Sequence, residues 1–331
     1  MAGVSTATVS RCFNAPDMVV GKTREKVMRI VEELGYTPHF GGRALASNRS
    51  NTVGAVIPTM ENAIFARGLQ AFQETLARSG VTILVASSGY DPEQEYQQIR
   101  TLVSQGADGL LLIGSARPDK TYDFLHRRHI PYVLTWNYTT SSSCYNVGFN
   151  NRKAASQMAE QVIGYGHRKI GMISAHTESN DRAFDRVEGV RQAMDLSGLS
   201  GKELMIETTT YSLVNGGDAF ARLMERTPRP TAVICGNDVL GAGAIAKARE
   251  MGFEIPGDIS ITGFDDIDLS EVISPKLTTV HVPHRRMGES AANLLLSILN
   301  GQTGCQSVEF ETELMLRESL GIAKKDGAIK A

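Results

Sequence analysis

From Thr52 onward the chain alternates short apolar runs with amphipathic ones, and near residue 150 that alternation begins again. In the first series TVGAVIP reads as a buried strand. A helix with Phe65, Leu69, Phe72 and Leu76 on one face follows, then VTILVASS as a strand, EQEYQQIRTLVSQG as a helix, and DGLLLIG and IPYVLTW as strands. The second series runs KIGMIS, a helix over 186–197, LMIETT, a helix over 216–226, TAVICGN, a helix over 239–251, and ISITGFD. Strand and helix in turn give parallel sheets covered on both faces, because a parallel connection is a crossover long enough to hold a helix. Two successive series predict an α/β fold with two doubly wound lobes. Ligands of such sheets bind beyond the carboxyl ends of the strands, so two facing lobes enclose one cleft.

The first fifty residues have a different texture. After a small-residue turn, Ser5 is placed to cap a short helix in TATVSRCF, with Val9, Cys12 and Phe13 on one side and Thr6, Ala7, Ser10 and Arg11 on the other. A second helix over about 23–34 carries the stripe Val27, Ile30, Val31 and Leu34, and Gly35 stands where a left-handed terminal residue belongs. TPHFGGRALASNRSN, polar and Gly-rich, reads as a linker. Residues 1–50 hold seven Lys/Arg against four Asp/Glu, a balance of +3, while the remainder holds 27 against 32, a balance of −5. A basic head on an acidic body suits a polyanionic partner, although so small an excess also arises by chance.

Cys12, Cys144, Cys235 and Cys305 lie far apart with no C-x-x-C spacing, which points to reduced thiols in a cytoplasmic protein rather than a disulfide framework. The sequence opens on no basic-then-apolar leader, and no run approaches the ~18 apolar residues of a membrane span. GAGAIA at 241–246 fits G-x-G-x-x-A, with Asp258 following 17 residues after Gly241, as in a dinucleotide fingerprint. Its place argues for close helix packing instead, because TAVIC ends well before Gly241 and the glycines fall inside the next helix. The sequence has no P-loop, G-x-S-x-G or H-E-x-x-H. His126/His129 and His281/His284 have a ligand-like spacing, but no neighbouring Cys or carboxylate completes a metal set. In FDDID, Asp265, Asp266 and Asp268 could hold a cation; a loop in which one carboxylate accepts a ligand's hydroxyls is the favoured reading.

VSTATVSR, a TREKV…LGY…P helix and an RALAS linker resemble the DNA-binding head of the lactose/galactose repressor (LacI/GalR) family. GADGLLLIG, YGHRKIG, NDRAFDRVEGV, PTAVICGNDVLGAGAI, IPGDISITGFDD and PKLTTVHVPHRRMG resemble that family's signature blocks, in its order, over about 1–320. GYDPEQE and the block from CYNVGFNNRKAA to GHRKIG are most similar to the gluconate-repressor branch. The resemblance implies a DNA-binding transcriptional repressor with periplasmic-binding-protein-like lobes of type I, controlled allosterically by a small molecule held between them. It implies no enzyme activity, no catalytic residue, no cofactor and no metal. The partners it implies are palindromic operator DNA, a sugar or sugar-acid effector and a second copy of the chain as a homodimer, with no membrane.

Members of that family carry a further helix before the AGVS turn, whereas the sequence here opens at the turn. A truncated helix-turn-helix head is therefore expected, with Val9, Phe13, Val27 and Ile30 short of cover and with Val20 where the family has a Ser cap. The domains expected are a head over 1–37, a hinge over 38–50 and an effector-binding body over 51–324. Within the body, the N-lobe takes about 51–150 and 283–310, and the C-lobe about 151–282 and 311–324.

By the same resemblance Ser5, Thr6, Ala7, Ser10 and Arg11 reach the DNA, with Arg11 able to pair with guanine O6/N7 and Ala7 or the Thr methyls with thymine methyls. Leu45 takes the place of a leucine that wedges into the minor groove from a hinge helix formed only on operator; so short a helix with Gly41 and Gly42 does not stand alone. Effector contacts map to Phe65, Asn180, Arg182, Arg186, Tyr211, Asn237 and Asp265, with Trp136 or Asn137 at the cleft wall. Aromatic faces, Asn237 and Asp265 for hydroxyls, and a bidentate grip from Arg186 suit a polyhydroxylated ligand. Arg182 adds a second positive charge and favours a sugar acid over a neutral sugar or a purine. The plainer reading of Arg186 pairs it with Asp185 or Glu188 on the helix face. Two rival functions are a sugar transporter's solute-binding protein, which needs an export signal, and a nicotinamide enzyme resting on GAGAIA.

Overall fold

The computed structural model describes residues 2–36, 49–61, 63–140 and 144–324. Leu45 and most of the linker lie outside the described residues. The head comprises α1 (Thr6–Asn14) and α2 (Gly21–Glu33), joined through a 3₁₀ turn at Pro16–Met18. The Ser5 hydroxyl accepts a hydrogen bond from the Thr8 amide at 3.2 Å, the expected N-cap. α2 begins two residues before its predicted start, and Val20 supplies no side-chain cap there. Gly35 takes φ +58°, as the left-handed end of α2 requires. Cys12 and Val27 are buried between the two helices, whereas Val9, Phe13 and Ile30 are only half-buried.

Two parallel sheets make the body. The first contains β1 (Thr52–Ile57), β2 (Thr82–Ser87), β3 (Gly109–Ile113), β4 (Tyr132–Thr135), β5 (Tyr145–Gly148) and β11 (Val308–Glu309), in the order β11-β5-β4-β3-β1-β2. The second contains β6 (Ile170–Ser174), β7 (Met205–Thr208), β8 (Ala232–Cys235) and β9 (Ser260–Thr262), in the order β7-β6-β8-β9. β1, β3, β6 and β8 are flanked on both sides and their apolar residues are buried throughout, whereas β2 at an edge alternates between exposed and half-buried. All eight strands read from the sequence are present. β5, β11 and the antiparallel pair β10 (Thr279–His281) and β12 (Glu313–Met315) carry too few residues to show a period.

The covering helices are α3 (Ala63–Arg78), α4 (Pro92–Ser104), α5 (Asp119–Arg127), α6 (Asn151–Gly164), α7 (Asp181–Leu196), α8 (Leu213–Met224), α9 (Asp238–Glu250), the short α10 (Leu269–Val272) and α11 (His284–Leu299). α7 starts five residues earlier than expected, because Asn180 caps it by accepting from the Ala183 amide. α8 starts three residues early, capped by Ser212. The GAGAIA stretch lies inside α9, where a Cβ on Gly243 would stand 2.0 Å from the Leu213 carbonyl oxygen. Gly243 lets α8 and α9 touch, and Gly241 makes room for Leu277 and Gly263; neither is part of a phosphate-binding turn.

The chain leaves the first sheet after β5, builds the second, returns along β10 to α11 and β11, and pairs β12 back on β10. β9 and β10 are linked by bridges at Thr262–Thr278 and Asp265–His281. The carboxyl ends of both sheets therefore face one cleft, and the loop after β9 that carries Asp265 is tied directly to the connecting strand.

Candidate functional site

The cleft is lined by Ile64, Phe65, Tyr90 and Trp136 from the first lobe and by Asn180, Arg182, Arg186, Tyr211, Asn237 and Asp265 from the second. It encloses about 300 Å³ between atoms, with room for about one water and not for a sugar ring, so the lobes are closed against one another. Eight of the nine expected effector residues meet here. Sequence reasoning missed Ile64 and Tyr90; Tyr90 follows β2 at φ +63° and stands at the carboxyl end of a strand, the signal that would have found it.

Asn137 is not in the cleft wall. Its amide nitrogen donates to Asp181 at 3.1 Å and Asp185 at 3.3 Å, and its oxygen accepts from Asn151, so it bridges the lobes instead. Trp136, which follows β4 directly at φ +62°, lines the cleft. Its ring packs edge-on against Phe65 with centroids 5.5 Å apart.

Asp265 is the chemical centre of the site. It is 1% exposed, takes φ +102°, and its Oδ1 accepts from Arg186 at 3.5 Å, while its Oδ2 is buried with no partner among the described residues. Burial raises its pKa and the Arg186 and Arg182 charges oppose that rise. Arg186 does not pair with Asp185 or Glu188, which bind Arg152 and Arg191. It donates to Asn151 Oδ1 at 2.9 Å and to the Gly236 carbonyl at 2.5 Å, and stacks on Phe264 at 3.7 Å. A guanidinium held on three sides by protein is a braced floor under Asp265, not the free bidentate grip expected from the sequence. Asn237 uses its oxygen to cap α9, leaving its amide nitrogen without a partner among the described residues. The other FDDID carboxylates look elsewhere: Asp266 binds Arg317 at 2.7 Å and His281 at 2.9 Å, and Asp268 pairs with Arg67.

Cross-lobe hydrogen bonds hold the closed form. Asp181 Oδ2 accepts from the Ser115 amide at 2.6 Å and its hydroxyl at 2.9 Å, and Ser179 donates to the Tyr90 carbonyl at 3.1 Å. Burial works against the charge on Asp181, yet Arg182 and these donors keep its pKa below the usual value. In the head, Ser5, Thr6, Ala7, Ser10 and Arg11 are all exposed on one side of α1.

Residues 1–39 match the bacterial regulatory proteins of the lacI family, and residues 159–320 match the periplasmic binding protein-like domain. The chain is 33% identical over 322 residues to the HTH-type transcriptional repressor PurR of Klebsiella pneumoniae, covering 96% of this chain and 94% of that one. It belongs to the LacI family. A LacI family regulator from Silicibacter pomeroyi superposes with a TM-score of 0.88 at 26% identity, covering 97% of each chain. The transcriptional regulator CelR in its cellobiose complex gives 0.73 at 28% identity, covering 96% of this chain and 97% of that one. The chain is accordingly a LacI-family transcriptional regulator: a DNA-binding head joined to a two-lobed effector-binding body. The transporter reading is not favoured. Among the described residues, no helix is long and apolar enough to cross a membrane.

Proposed function

We propose that this LacI-family regulator is a cytoplasmic repressor, without enzymatic activity, whose effector is a sugar or sugar acid bound by Phe65, Trp136, Asn180, Arg182, Arg186, Tyr211, Asn237 and Asp265. The buried, unpartnered Asp265 Oδ2 carries the reading. An acceptor removed from water with no donor costs roughly 1–3 kcal/mol, and a ligand hydroxyl entering the cleft removes that cost. Phe65 and Trp136 supply apolar faces for the C–H side of a sugar ring, and Arg182 supplies charge for an acid.

The reading extends to the whole switch. Head, hinge and body run over about 1–37, 38–50 and 51–324, the lobes dividing near 150, 283 and 310. Effector binding changes how far the lobes close, and through a homodimer alters the spacing of two heads on a palindromic operator, where Ser5, Thr6, Ala7, Ser10 and Arg11 read the major groove and Leu45 the minor groove.

A thermal-shift screen of neutral sugars and sugar acids tests the site, since a ligand specific to the folded body raises the melting temperature. The expected hit is lost in Asp265→Asn and changes the affinity of the wild type for its selected duplex. A hit indifferent to Asp265→Asn overturns the site. A hit without effect on DNA binding overturns the switch.

A further inference from the structure

A second chamber lies beside the first and shares two of its walls. It is lined by residues that include Ser88, Tyr90, Glu95, Ala116, Ser179 and Arg182, and again encloses about 300 Å³ that is closed down to little more than a water. Tyr90 belongs to the first lobe and Arg182 to the second, and each borders both chambers. Parting the lobes separates these two side chains, so any motion that opens the inner chamber opens the outer one too.

The shared guanidinium is unevenly used. Arg182 is 8% exposed and its Nη1 donates to Asp181 Oδ1 at 2.7 Å. Its Nε and Nη2, the two parallel donors of one fork face, have no protein partner among the described residues. Arg186 has every nitrogen engaged, so among the described residues Arg182 is the one cleft guanidinium with a bidentate face open to a carboxylate. Of the outer chamber's two acids, Glu95 is already matched by Arg117 at 3.1 Å, and Asp91 caps α4 by accepting from the Glu93 and Gln94 amides. Tyr90 packs against Tyr211 across the lobes, the rings tilted at 45° with centroids 5.8 Å apart, and its hydroxyl has no partner among the described residues.

We propose that the effector is an acidic disaccharide: one unit occupies the inner chamber on Asp265, its carboxylate lies on the Nε/Nη2 face of Arg182, and the second unit passes Tyr90 into the outer chamber. This rests on the cleft being the effector site. Ala116 is exposed at the outer mouth, so Ala116→Trp fills that chamber without touching the inner one.

Calorimetric titration of the full chain with D-gluconate, cellobiose and cellobionate separates the possibilities. Cellobionate is expected to bind at least tenfold tighter than either of the others, and Ala116→Trp, with its melting temperature unchanged, to remove that advantage. Arg182→Gln is expected to bring cellobionate down to the affinity of cellobiose. Equal affinity for D-gluconate, indifference to Ala116→Trp, or no binding by any of the three overturns the proposal. Binding lost in Asp265→Asn but indifferent to Ala116→Trp defeats the second chamber and leaves the cleft standing.

Discussion

The Trp136 indole N–H donates to His284 Nδ1 at 3.1 Å, with the two rings stacked at 22° and their centroids 6.2 Å apart. An indole only donates and a carbonyl only accepts, which fixes the imidazole between them. Nδ1 accepts, and Nε2–H donates to the Asp265 carbonyl at 3.3 Å. His284 at the start of α11 thus connects the cleft's aromatic wall to the backbone of its central carboxylate, and it does so only as the neutral ring.

Protonating His284 would set two donors against each other, and burial with the nearby Arg186 lowers its pKa to about 3 from 6.5. A depressed pKa contributes stability that is full above about 6.5 and lost as the pH falls toward 3. Urea unfolding of wild type and His284→Gln between pH 7 and 4 is expected to show a steeper acid loss in the wild type. Parallel profiles would contradict the assignment. His284→Leu, which strands the buried indole N–H, is expected to cost about 1–3 kcal/mol at pH 7.

Asp238 has the opposite sign. Burial, then the charge of Asp265, raises its pKa from 3.8 to about 8, against hydrogen bonds from Thr279 at 2.5 Å and the Ile267 amide at 2.8 Å. A raised pKa gives stability that is full below about 3.8 and lost as the pH climbs through 8. Asp238→Asn keeps an acceptor for the Ile267 amide and, with the Thr279 hydroxyl turned to accept from the new amide nitrogen, a hydrogen bond to Thr279 without the charge. Its stability relative to wild type should therefore rise steadily from pH 4 to 8 in melting experiments; a constant difference would refute this.

α3 and α11 cross at Gly68 and Gly288. A Cβ on Gly288 would lie 2.0 Å from the Gly68 carbonyl oxygen, and one on Gly68 would lie 2.4 Å from Trp136 Cη2. Backbone cannot rotate away as a side chain can, so Gly288→Ala is expected to lose about 1–3 kcal/mol or more in denaturant unfolding. Wild-type stability would show that the crossing opens freely.

Arg117 is 1% exposed and bound by Glu95 through both carboxylate oxygens, with further bonds to the Gly114 carbonyl and the Tyr122 hydroxyl. Glu95→Ala leaves that guanidinium buried without a counter-charge and is expected to cost about 3–5 kcal/mol. A loss under 1 kcal/mol in chemical unfolding would mean that the carbonyls and Tyr122 suffice.

The sequence by itself determined the two-lobed α/β body, the head with its Ser5 cap and Gly35 terminus, and the family. The fold and caps rest on local period and capping chemistry, which neighbouring residues carry in order, and the family on motifs that stand in a set order along the chain. The same resemblance brought Asp265, Arg186 and Asn237 to one cleft; Asn237 and Asp265 follow β8 and β9 directly, whereas Arg186 lies in the second turn of α7. Tertiary structure alone decided how the donors are shared out. Arg186 is consumed by Asn151 and Gly236, Arg182 keeps an open face, Asn137 turns to Asp181, and His284 joins Trp136 to Asp265, all across separations that no local pattern encodes. Whether a buried polar group is free or occupied depends on what folding places beside it, and that is a property of packing.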